Sequence, residues 1–119
     1  MSVNEEPSYT RCHLWKCNQV LRSELDCLVK VKELFDLSHQ IRSIRRCRDC
    51  GQLYLWDFDE QVDWNEGNDA QYWTVMPVEN MEEAERLGSE REMMPARAPY
   101  IRWRFTDQLY PPEWVRTEV

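Results

Sequence analysis

The chain of 119 residues has only three glycines, two histidines and no apolar run near the ~18 residues that a membrane-spanning helix needs. Scarce glycine and the absence of any low-complexity tract argue against a disordered body. Basic residues are missing from a long stretch: between Asp49 and Glu85 there is no Lys or Arg, yet eleven Asp and Glu fall there. A field of one sign repels nucleic acid and attracts basic partners.

Catalytic signatures are missing too. No His-x-Glu precedes the Cys-x-x-Cys pair, which excludes a zinc deaminase. There is no His-Glu-x-x-His, no phosphate-binding glycine loop and no Gly-x-Ser-x-Gly elbow. With no nucleophile–base pair in view, the chain is expected not to be an enzyme. The segment Met1 to Pro7 is polar and acidic rather than a signal peptide, so the expected location is cytoplasmic, where thiols stay reduced.

What the chain does have is cysteine and tryptophan. Five cysteines, at 12, 17, 27, 47 and 50, form an odd set that in a reducing compartment points to metal ligation plus a spare. Six tryptophans, at 15, 56, 64, 73, 103 and 114, suit a core or interface built on aromatics. The net charge is −7, with a short basic cluster at Arg42, Arg45, Arg46 and Arg48 just before the acidic stretch.

Cys47-Arg48-Asp49-Cys50-Gly51 carries the strongest signal. Two residues between the cysteines let both sulfurs converge on one ion, and Gly51 supplies the positive φ that such a turn needs. A second pair is expected from Cys12, His13 and Cys17, whose spacings fall within the range of zinc ligand pairs. The expected ligands are His13, Cys17, Cys47 and Cys50, with Cys12 the rival of His13. Cys27 is assigned instead to an apolar helix face. Four protein ligands leave no open position, so the expected zinc is structural.

The pattern predicts a loose arm over 1–10 and a helix over about 24–36. Ser23 would cap it, with Asp26 three positions on, and Leu21, Leu25, Leu28, Val29, Lys32 and Phe35 would share a face with one charged stem in it. A strand over 27–33 is the alternative, because Val29 and Val31 alternate with lysines. Strands are expected at 39–46 and 52–59, forming a hairpin around the knuckle, at 72–76 ending at Pro77, and at 100–105. Asn80 would cap a short helix that Gly88 closes. A proline-punctuated linker at 93–99 and an irregular tail at about 107–119 complete one domain over 1–119. The expected class is α+β: a small antiparallel sheet of three to four strands, a zinc-knuckle hairpin and two helices.

The stretch around Cys47 to Gly51 resembles the knuckles of zinc ribbons and rubredoxins. That resemblance implies structural zinc held by two short ligand pairs. In size, acidity and lack of catalytic groups the chain is similar in type to small bacterial toxin-immunity proteins, which implies a protein partner, expected to be basic. Asp57, Asp59, Asp63, Trp64, Asp69 and Trp73 are the expected contact residues, with tryptophans as anchors and carboxylates steering encounter. The alternative is a zinc-ribbon nucleic-acid-binding protein using the arginine cluster with Tyr54 and Trp56, against which the overall acidity stands.

Overall fold

The computed structural model describes residues 7–89 and 97–117. Six strands form one antiparallel sheet in simple sequence order: β1 Leu28–Leu37, β2 Gln40–Cys47, β3 Leu53–Gln61, β4 Ala70–Val78, β5 Tyr100–Phe105 and β6 Leu109–Val115. Among the described residues one α-helix, α1 (Met81–Gly88), lies between β4 and β5, and 3-10 turns occupy Ser8–Arg11, His13–Lys16 and Arg22–Cys27. The protein is therefore mostly β, which corrects the expected α+β sheet of three to four strands with two helices.

The helix expected over 24–36 is the main error. Its first turn is the 3-10 turn, where Glu24 Oε1 accepts from the Leu21 N–H at 3.1 Å. From Leu28 onward the chain is strand β1, paired to β2 with register breaks between Lys30 and Lys32 and between Glu33 and Phe35. β-Branched Val29 and Val31 favour the strand. The two breaks disturb its two-residue alternation, and the remaining apolar spacing imitates a helical stripe.

The tail is the second correction. Pro111 and Pro112 sit in β6, an edge strand, where a missing N–H costs no ladder bond to a further strand. They fall at the register break opposite Trp103, and the Pro112 carbonyl still accepts from Val20 N at 2.9 Å. Likewise β4 runs through Pro77, beyond the last β5 pair at Val75↔Ile101. Residues 1–6 of the expected arm, 93–96 of the linker and 118–119 of the tail lie outside the described residues.

Alternation along the central strands sends successive side chains to opposite faces and builds two cores. Tyr54, Val75, Ile101, Trp103 and Trp114 pack on one face with Cys12, Leu14, Cys27 and Cys47. Ile44, Leu55, Met76 and Val78 pack on the other beneath Ala84, Met81 and Leu87 of α1. Asn80 caps α1 as expected, its side chain accepting from Glu83 N at 2.8 Å. Gly88 is required by close approach: a Cβ there would run into Leu34 Cδ1 and touch Leu55 Cδ1.

Candidate metal centre

The turn between β2 and β3 is the Cys47–Gly51 knuckle. Gly51 takes φ +83, as its place in the motif requires. Gly51 N donates to Cys47 O at 2.8 Å, and Cys47 N donates to Gln52 O at 2.9 Å. Arg48 N reaches back to Cys27 O at 2.9 Å, which ties the start of β1 to the knuckle.

A strap of chain brings the upstream donors over this turn. Trp114 N donates to Asn18 O at 2.8 Å, and Trp114 Nε1 donates to Leu14 O at 2.6 Å. Trp15 meets Trp114 edge-on with centroids 4.8 Å apart, and the Arg116 guanidinium lies 4.0 Å over the Trp15 ring. Residues 13–20 are thus clamped along β6, which leaves Cys12 and His13 facing the β2–β3 turn.

Two overlapping groups of donors result, each within 4.8 Å throughout: His13, Cys27, Cys47 and Asp49, and Cys12, Cys47 and Cys50. Both can hold a metal ion, and Cys47 belongs to both. Cys27 Sγ lies 3.8 Å from Cys47 Sγ and 3.7 Å from His13 Nε2. The other ring nitrogen of His13, Nδ1, lies 3.8 Å from Asp49 Oδ2. Cys12, Cys27 and Cys47 are buried, whereas Cys50 is exposed.

Burial pushes the Cys12 and Cys27 thiols up to about 12. Burial acts on Cys47 in the same sense, but hydrogen bonds from the backbone N–H groups of Cys50 and Asp49 and from the Cys50 and Cys27 side chains together leave that thiol below its ordinary value. The thiol shared by both groups is thus easier to ionise than the buried Cys12 and Cys27 beside it.

Of the expected ligands, His13, Cys47 and Cys50 enter the cluster, as does Cys12. Cys17 is exposed and belongs to neither group. Cys27 was missed because its spacing to the other cysteines matches no ligand motif. It reaches the cluster through the Arg48–Cys27 backbone bond, which has no counterpart in local sequence.

The expected contact residues divide among three places. Asp57 is buried on the α1 face, where its Oδ1 accepts from Arg42 Nε at 2.9 Å, and burial raises its carboxyl against that pairing. Asp59 lies on the same face and is also raised, first by burial. Trp73 lies on the opposite face, half-buried and stacked on Trp103 at 5.5 Å with planes 1° apart. Asp63, Trp64 and Asp69 sit in the β3–β4 loop, with the Trp64 side chain 87% exposed.

That loop is tightly organised. Asp63 Oδ1 accepts from Asn65 N at 3.1 Å and Glu66 N at 3.2 Å, and Asp63 N donates to Asp69 Oδ1 at 2.8 Å. No helix among the described residues is long and apolar enough to cross a membrane. Comparison with family models, curated proteins and solved structures gives no match for this chain.

Proposed function

We propose that this chain is a small zinc-stapled protein-interaction domain whose acidic β3–β4 loop docks on a basic partner. The observation that carries the staple is the spacing around Cys27. Two thiolates on a tetrahedral zinc stand about 3.8 Å apart, and a thiolate and an imidazole nitrogen about 3.6 Å. The Cys27–Cys47 and Cys27–His13 separations of 3.8 and 3.7 Å fit those edges. Cys27, Cys47 and His13, with Asp49 beside them, are then the ligand group that these separations favour.

Antiparallel order puts the knuckle and the β3–β4 loop at opposite ends of the sheet. The metal therefore serves as scaffold. At the far end, an exposed indole in a hydrogen-bonded loop that also carries Asp63, Glu66 and Asp69 is suited to act as an anchor. The carboxylates supply steering toward positive charge. An inhibitor that plugs a basic protein is the member of this class that the size and charge of the chain suit best.

Metal analysis of the purified full chain, with melting curves before and after chelation, tests the staple. One zinc per chain and a large fall in melting temperature on chelation support it, whereas a metal-free protein with an unmoved curve removes it. For the docking face, Trp64→Ala should abolish salt-sensitive capture of the partner while leaving the melting temperature unchanged. Capture that survives this substitution assigns the contact elsewhere.

A further inference from the structure

We propose that the cleft walled by Trp56, Trp73 and Trp103 binds a small planar aromatic carboxylate, with the Arg45 guanidinium as the partner of its charge. The cleft has a volume of about 330 Å³ and lies on the sheet face opposite α1, between the 3-10 turn Arg22–Cys27 and strands β2 to β5. Strand register builds it. Trp73 of β4 pairs with Trp103 of β5, and their indoles stack in parallel at 5.5 Å. On β3, Trp56 falls opposite Ser43 of β2. Arg45 is two positions along β2 from Ser43, so alternation puts Arg45 and Trp56 on one face.

The observation that carries the proposal is the state of Arg45. Its Nε donates to Ser43 Oγ at 3.2 Å, and its guanidinium lies 4.2 Å over the Trp56 ring. Neither neighbour carries charge, and no carboxylate among the described residues stands within ion-pair distance of it. The side chain is half-buried, and burial disfavours its charged form. An anion seated beside such a cation stabilises it, and a carboxylate matches the flat fork of a guanidinium. Trp103 brings a second unmet group to the wall. Its side chain is buried, and its Nε1–H has no acceptor among the described residues. Both groups are donors, and both call for an acceptor. The indoles add apolar area and π faces, which favour a flat ring over an aliphatic chain.

The rim sets the charge of the occupant. Arg22 and Asp26, both exposed, line it together. Arg22 adds a second cation, whereas Asp26 limits how much negative charge the rim accepts. A single carboxylate is met by Arg45. A chain of phosphates would also meet Asp26 and a protein of net charge −7. The chemistry therefore selects a one- or two-ring monoanion over a nucleic acid. None of the lining residues belongs to either thiol-bearing donor group or to the β3–β4 loop, so this site stands apart from the zinc staple and from the docking face.

Calorimetric titration of the full chain with naphthoate, and with naphthamide as its uncharged isostere, tests the proposal. Naphthoate should saturate one site per chain, and the amide should bind about tenfold more weakly or less. Arg45→Gln should weaken naphthoate by a similar factor and leave the amide unchanged. In magnetic resonance spectra of the isotope-labelled chain, naphthoate should move the indole N–H signals of Trp56, Trp73 and Trp103 and leave that of Trp64 in place. No saturable binding at millimolar naphthoate, equal affinity for acid and amide, or a shift confined to Trp64 overturns the proposal. Tighter binding of a short single-stranded oligonucleotide that Arg45→Gln abolishes also overturns it, and assigns the cleft to nucleic acid. If Arg45→Gln does not fold, the acid–amide comparison and the wild-type spectra decide.

Discussion

Arg42 Nε donates to Asp57 Oδ1 at 2.9 Å, and the two side chains are 0% and 6% exposed. The Arg42 Nη1 extends the same bridge to the Gly88 carbonyl at 3.0 Å, so the pair fastens β2 and β3 to the end of α1. Asp57 is thereby a structural group. Asp57→Ala should leave the buried Arg42 Nε–H without its acceptor and cost about 3 kcal/mol or more in urea unfolding.

The same variant has a pH signature. Burial raises the folded Asp57 carboxyl above its unfolded value, even with Arg42 beside it. Its contribution to stability is complete below the unfolded value, at about pH 4, and is lost as pH rises through the folded value. The stability gap between wild type and Asp57→Ala should therefore narrow as pH rises from about 4. A gap that widens over that interval contradicts the raised carboxyl.

Asp63→Ala removes the acceptor for the Asn65 and Glu66 amides. These contacts are exposed, so global stability should move by no more than about 0.5 kcal/mol. Hydrogen exchange at Asn65 and Glu66 should nevertheless quicken clearly, because the loop loses its local ties. Unchanged exchange would mean that the loop is held by something other than Asp63.

Gly88→Ala places a methyl against Leu34 and Leu55 on the α1 face. Overfilling a packed core in this way costs about 1–3 kcal/mol. The effect should appear as a lower denaturation midpoint with no change in metal content, since the thiol cluster lies on the other face.

Trp114→Phe keeps an aromatic ring beside Trp15 but removes the Nε1 donor to Leu14 O. Leaving that carbonyl unsatisfied costs about 1–3 kcal/mol. Because the strap carries Cys12 and His13, zinc affinity should weaken alongside stability. A stable variant that keeps full affinity would show that the strap is positioned by other contacts.

Local pattern accounts for much of the sheet. Strict alternation at Tyr100–Phe105, the hairpin around Cys47–Gly51 and the Asn80 cap are local signals, and each matches the structure. The pattern misleads where edges are irregular. Breaks in β1 imitate helical spacing, and Pro111-Pro112 suggest a broken tail although an edge strand tolerates them. The donor cluster is legible only in part. The Cys-x-x-Cys turn is local, but Cys27 joins through a backbone bond between segments 21 residues apart, and Cys17 falls outside despite suitable spacing. The acidic residues cluster in sequence, yet Asp57 and Trp73 face opposite sides of a strand pair, which linear charge cannot reveal.

The strap has a kinetic consequence. Every strand of the sheet pairs with its neighbour in sequence, and every connection but the one through α1 is short. The Trp114–Leu14 bond, by contrast, closes a loop of 100 residues. Long closures carry the larger entropic cost, and the strap belongs with the last contacts to form and the first to open. In a zinc-loaded chain, three ligands then sit on early-forming elements and one on the strap. Exchange of the ion with solvent should follow the opening of the strap alone, at a rate well above that of global unfolding, so that the domain can give up its metal while the sheet stays folded.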